Sequence, residues 1–160
     1  MEFPAVPCDI WIDKEGIWYY RGAEMFRRDI VRLFYKHLTR DPSGKYLIEM
    51  DDDRCYVGVE DKAYVVKAVY CLESEKGSGE GIYLLLSDDD LEELDMETLR
   101  IDENNIPYCW VKNRQFEARF SKPSYYQLAQ FIHHDPDCDA FFIALNGRQH
   151  YFEYAGSRDA

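Results

Sequence analysis

The sequence predicts an α+β fold of two β-rich modules, each with antiparallel strands and one main helix, covering residues 1–76 and 77–160. Three observations carry that expectation. Runs rich in Val, Ile and Tyr recur between turn residues, as strands require. Two segments, 24–38 and 123–133, carry helical signals instead. Between the two halves lies Glu73-Ser74-Glu75-Lys76-Gly77-Ser78-Gly79-Glu80-Gly81, whose three glycines and two serines suit a long hairpin tip or a module boundary.

The elements follow in order. Over 8–13, Ile10 and Ile12 alternate with Asp9, Trp11 and Asp13, and Lys14-Glu15-Gly16 then turns the chain toward 17–20, an opening hairpin. From residue 24 the period changes: Phe26, Ile30, Phe34 and Leu38 recur every four residues as one buried helical stripe. Asp41-Pro42-Ser43-Gly44 ends that helix. Residues 45–50, 54–60 and 63–72 read as successive antiparallel strands, and 82–86 as another. Ser87, followed by acids, is placed to cap a short helix over 87–93. Asn113-Arg114 joins strands 106–112 and 115–120, and Pro123 suits the first turn of a helix running to about residue 133. Asn146-Gly147, a pair at ease with positive φ, joins strands 140–145 and 148–154.

Shifting the chain by 94 positions lays Val31, Phe34 and Leu38 on Tyr125, Leu128 and Ile132, and Asp41-Pro42 on Asp135-Pro136. An internal repeat and a chance likeness of two amphipathic helices explain this equally well.

Composition bounds the partners. With 46% hydrophobic and 16% aromatic residues the chain must bury a core. Its formal charge of −12 repels phosphodiester backbones and anionic head groups, which disfavours nucleic acid and membrane partners. No uninterrupted apolar run approaches the ~18 residues of a membrane span, and a cytoplasmic protein is expected. Five cysteines, an odd number without a C-x-x-C pair, are expected to be reduced thiols, mostly in the core.

Several segments carry a family resemblance. They are 12–18 (Ile-Asp-Lys-Glu-Gly-Ile-Trp) with Gly22, 28–34 (Arg-Asp-Ile-Val-Arg-Leu-Phe), 44–47 (Gly-Lys-Tyr-Leu), 57–64 (Val-Gly-Val-Glu-Asp-Lys-Ala-Tyr), and Glu117-Ala118-Arg119-Phe120 before Tyr125-Tyr126. As an ordered set spanning most of the chain they resemble a bacterial family of unknown function whose known folds are tandem pleckstrin-homology-like modules. The resemblance implies a sensor or signalling role rather than catalysis. After Tyr46-Leu47 the chain departs from that pattern, with Glu49-Met50-Asp51-Asp52-Asp53 in place of a threonine-proline step and a lone acid.

Candidate site residues divide by chemistry. Arg28, Arg32, Lys36 and Arg40 fall at i, i+4 spacing, a basic stripe that asks for anionic compensation from Asp51–Asp53, a ligand or an acidic partner. Glu60 and Asp61 point to opposite faces if both lie on a strand, so they cannot act as a catalytic pair across one bond; with Tyr64 they belong to the family motif. Trp18 and the tyrosines beside it suit a pocket wall or the core. Arg119 is a ligand contact or a strand ion pair. The run His133-His134-Asp135-Pro136-Asp137-Cys138-Asp139 opens like a calcium loop, but Ala140 stands where the turn glycine is needed and Asn146 where a bidentate glutamate is needed.

The expectation is therefore a non-catalytic binding or signalling protein with no cofactor, no metal and no catalytic residue. A small anionic ligand or a protein partner would be held by Trp18, Arg28, Arg32, Glu60, Asp61, Tyr64 and Arg119 in a cleft between the modules. The alternatives are a small hydrolase or transferase using a carboxylate and a histidine, and a protein-interaction adaptor. Oligomeric state stays open.

Overall fold

The runs of β-branched and aromatic residues fold as strands almost throughout. The computed structural model describes residues 5–75, 77 and 79–156. The chain divides between Ala63 and Tyr64 into two compact units.

In the first unit β1 (Val6–Ile12), β2 (Trp18–Tyr20) and β3 (Ala23–Glu24) precede helix α1 (Arg28–Lys36), and β4 (Leu38–Arg40), β5 (Tyr46–Met50) and β6 (Asp53–Val59) follow it. The six strands form one sheet in the order β3-β2-β1-β6-β5-β4, antiparallel except where β1 runs parallel to β6. Its core gathers Ile12, Trp18, Val31, Tyr35 and Leu47. The Trp18 ring packs edge-on to Tyr35 at 4.8 Å, and the Tyr35 hydroxyl donates to the Ala63 carbonyl at 2.7 Å.

The second unit holds β7 (Tyr64–Glu73), β8 (Glu80–Leu86), β9 (Leu91–Glu93), a single 3-10 turn (Met96–Thr98), β10 (Arg100–Ile101), β11 (Pro107–Val111), β12 (Phe116–Phe120), helix α2 (Lys122–Ala129), β13 (Ile132–Asp135), β14 (Ala140–Leu145) and β15 (Arg148–Tyr154). They form a nine-stranded sheet, β13-β14-β15-β10-β11-β12-β7-β8-β9, with parallel pairs at β10–β15 and β12–β7.

The expected α+β fold of antiparallel, pleckstrin-homology-like modules is therefore corrected. Strands dominate, both sheets are mixed, and the α-helices of the described residues span nine and eight residues. Helix 24–38 shortens because both its ends are claimed by strands. Met25 donates its amide to Trp18, and Leu38–Arg40 pair with Tyr46–Ile48. Helix 123–133 stops at Ala129 for the same reason, with Ile132–Asp135 pairing against Ala140–Ile143. Residues 87–93 are not helical. The Ser87 hydroxyl instead accepts the Val65 amide at 3.0 Å, and Leu91–Glu93 join the sheet. Residues 54–60 and 63–72 do not form one antiparallel ladder either: β6 and β7 belong to different sheets. Of the glycine-rich stretch, Glu73 ends β7 and Glu80-Gly81 open β8, and these ends pair with each other's strand, while residues 76 and 78 lie outside the described residues.

The 94-residue shift survives as topology. Arg28, Leu38 and Tyr46, which open α1, β4 and β5, move by 94 to Lys122, Ile132 and Ala140, which open α2, β13 and β14. Strand order agrees as well: β3-β2-β1-β6-β5-β4 corresponds to β12-β11-β10-β15-β14-β13, with the parallel pair in the same place. In the second sheet β7, β8 and β9 extend the edge at β12.

Short aspartate turns join the strands. Asp13 Oδ1 accepts the amides of Glu15 and Ile17, Asp41 Oδ1 those of Ser43 and Lys45, and Asp102 Oδ1 those of Asn104 and Ile106. Each turn satisfies backbone donors that lie outside the ladders.

The cysteine expectation is also corrected. Cys8 and Cys55 form a disulfide between β1 and β6, Cys71 and Cys138 are exposed, and only Cys109 is a buried thiol. Adjacent strands bring the first two within bridging reach, with Cα atoms 4.9 Å apart, a proximity across 47 residues that spacing alone does not reveal. Among the described residues no helix is long and apolar enough to cross a membrane.

Candidate functional site: an apolar pocket in the first unit

Helix α1 has two apolar faces. Val31 and Tyr35 point into the core, whereas Ile30 and Phe34, with Phe26 just before the helix, form the wall of a pocket of about 950 Å³. These are the residues whose four-residue period predicted a buried stripe. The period is right, but Phe26 precedes the helix and is 79% exposed.

The opposite wall is the sheet. Alternation brings Val6, Cys8 and Ile10 of β1 to one face, next to Ile48 and Met50 of β5 and Cys55 of β6. Tyr20, Ala23 and Met25 also line it. The volume lies within the ~300–1,000 Å³ of small-molecule sites, and the lining has their mainly apolar character.

Charged groups in the lining are exposed or half-exposed. Arg27 is held by Asp29 in a two-pronged contact at 3.0 and 2.7 Å, and Arg54 Nε is 3.1 Å from Glu49. The Asp29 carboxyl is consequently held below the usual range, chiefly by its hydrogen bond from Arg27. Glu24, Asp51 and Asp53 take part in no ion pair or side-chain hydrogen bond among the described residues, so their charge is left for whatever enters. Among the described residues no group of three or more His, Cys, Asp or Glu is placed to hold a metal ion.

The residues expected to bind occupy other positions. Trp18 is 1% exposed, stacks on Phe34 at 6.2 Å, and leaves its Nε1–H buried without a partner. Arg28 and Arg32 are exposed on α1 but do not line the pocket; the adjacent Arg27 does. Glu60, exposed after β6, accepts the Lys14 amide at 3.0 Å, and Asp61 follows it half-exposed. Tyr64 and Arg119 are residues of the second unit. Tyr64 is buried against Phe116 at 5.1 Å, and Arg119 stands on β12 in register with Tyr108 and Val65.

The histidine run is strand, so the two rings face opposite ways. His133 packs on Phe142 and His134 on Phe141, with His134 Nε2 2.7 Å from Asp139. Asp135 accepts the Tyr151 hydroxyl at 2.6 Å and the Asp137 amide at 3.0 Å, and the Tyr151 phenol is thereby raised to about 12. These acids act as turn and strand caps. Sequence reasoning missed the pocket because its sheet wall comes from strands distant in sequence. The one signal was the stripe at 26, 30 and 34, too long for the helix that carries it.

A mostly-β chain with two mixed sheets and a lined cavity in the first is the class these observations define. Residues 5–62, nearly the whole of that first unit, match the N-terminal domain of a domain of unknown function, DUF1285. The fold is similar to two solved structures. One is a DUF1285 family protein from Silicibacter pomeroyi DSS-3 (TM-score 0.74, 19% identity, covering 94% of this chain and 82% of that one). The other is a DUF1285 family protein from Shewanella baltica OS155 (TM-score 0.62, 19% identity, covering 78% and 92%). No curated protein matches the sequence. The match is thus to a family of unknown function, as the sequence motifs implied, while the pleckstrin-homology-like modules attached to that resemblance fall with the fold correction above.

Proposed function

We propose that the protein is a non-catalytic binding protein of the DUF1285 family whose ligand, a small molecule with an apolar body, occupies the pocket between α1 and the first sheet. The pocket itself carries the reading: about 950 Å³ walled by Phe26, Ile30, Phe34, Ile10, Ile48 and Met50. An apolar surface of that extent stays open to water only at a cost, which a ligand removes. The carboxylates of Glu24, Asp51 and Asp53, outside any ion pair among the described residues, favour a neutral or cationic polar end. Arg27 and Arg54, already engaged by Asp29 and Glu49, offer little to the anionic ligand expected from the arginine stripe. In this role the ligand is sensed or carried rather than transformed.

The test is a fluorescence titration with the neutral dye Nile red, followed by displacement with dodecanol, dodecylamine and dodecanoate. The dye binds, the alcohol and amine displace it, and dodecanoate does so least. Phe26→Ser removes an apolar contact of about 1–2 kcal/mol, weakening the dye about 5- to 30-fold while leaving thermal unfolding unchanged. Absence of dye binding, or equal affinity in Phe26→Ser, defeats the reading.

A further inference from the structure

We infer that the Cys8–Cys55 disulfide is a reversible thiol-exchange site that takes a dithiol reductant, and that its state sets the shape of the apolar pocket. The inference rests on the pocket reading above. Both cysteines line the pocket and both are half-exposed, so a thiol can reach the bridge, which a core position would prevent.

The strand the bridge holds is paired unevenly along its length. From Ile10 to Ile12, β1 is paired with β2 on one side, and Trp11 and Ile12 pair with β6 on the other. Among the described residues Val6 and Pro7 pair with β6 alone, through Val6–Cys55 and Pro7–Tyr56, and Pro7 has no amide hydrogen to give to a ladder. The register then slips between Pro7 and Trp11, and Asp9 sits at φ 62. The covalent bond therefore fastens a segment that lies next to a break in register. Val6, 56% exposed, and Cys8 are part of the pocket wall, so releasing them reshapes it.

The exchange balances. A thiolate of the dithiol attacks one sulfur of the bridge, the S–S bond breaks, and the released cysteine takes a proton. The second thiol of the dithiol then attacks the mixed disulfide, freeing the other cysteine as a thiol. The protein gains two electrons and two protons, and the dithiol leaves as a disulfide.

The experiment uses the full chain, oxidised, reduced with dithiothreitol, and reoxidised, with reduction verified by mass. Two quantities are read: amide exchange along the backbone and Nile red affinity. On reduction, exchange at Val6 and Cys8 rises about tenfold or more while α1 and β5 keep their protection. Dye affinity falls about fivefold or more, because a loosened wall must be ordered on binding, and reoxidation restores both. Cys8→Ser/Cys55→Ser matches the reduced protein and ignores dithiothreitol. Resistance of the bridge to dithiothreitol in the folded protein overturns the inference. So do unchanged exchange and affinity after complete reduction, and so does loss of protection throughout α1 and β5, which would make the bridge a general staple. If the oxidised protein binds no dye, the pocket reading fails on its own, and exchange at Val6 and Cys8 alone decides whether the bridge is a clasp.

Discussion

Lys112 stands at the mouth of the β11–β12 turn and holds two carboxylates, with Nζ 2.6 Å from Asp88 and 2.7 Å from Asp90. Asp88 is 7% exposed, so Lys112→Met leaves a carboxylate away from water with the Asp90 amide, at 3.1 Å, as its remaining donor among the described residues. Breaking a fully buried pair costs about 3–5 kcal/mol; the lysine side chain is 23% exposed and water softens the loss, so we expect about 2 kcal/mol. Methionine keeps the unbranched stem, so the left-handed backbone at φ 56 strains both residues alike. Burial pulls the Lys112 pKa down, but the two carboxylates outweigh it and the net shift is upward. Its contribution is therefore intact below the unfolded lysine value of about 10.4 and fades as pH rises through the folded one. Urea unfolding followed by circular dichroism at pH 7 reads the cost as a midpoint lowered by about 1 M. Removing the stranded charge as well, in Asp88→Asn/Lys112→Met, recovers about 1 kcal/mol. A single-variant cost below about 0.5 kcal/mol, or a double variant that costs the sum of both singles, refutes the reasoning.

Three further outcomes follow from the geometry. Alkylation of the native protein labels two thiols, Cys71 and Cys138, and labels them slowly, since burial and the neighbouring Glu80 or Asp135 raise both; Cys109 reacts only after unfolding, and Cys8 and Cys55 only after reduction, as peptide mass mapping will report. Tyr35→Phe strips the Ala63 carbonyl of its buried donor and lowers unfolding stability by about 1–2 kcal/mol, whereas an unchanged midpoint would show that water replaces the hydroxyl. Burial raises the Glu92 carboxyl, so the folded state prefers it protonated; Glu92→Gln stabilises at pH 7 by under about 1 kcal/mol, and the gain disappears as pH falls through the raised value.

Much of this molecule was legible locally. Alternation placed β1 and β6, since side chains two apart share a face whatever the strand pairs with, and β-branched and aromatic composition placed β5. Asn146-Gly147 marked its hairpin because both residues take positive φ, at 54° and 76°. The 94-residue shift held because helix, aspartate turn and strand are each written in short stretches of sequence. Helix ends were not legible, since Leu38–Arg40 and Ile132–Asp135 carry helical spacing that pairing with β5 and β14 overrides.

What the chain determines by itself is therefore its local repertoire: where it extends, where it turns, and that α1 carries more apolar surface than one face can bury. What only the tertiary structure decided is which distant residues meet. The parallel pair β1–β6 sets Cys8 beside Cys55 and builds the sheet wall of the pocket, and no periodicity within either strand encodes that pairing. Local pattern follows from the geometry of a few successive residues, whereas a cavity and a disulfide depend on register between strands some 47 residues apart.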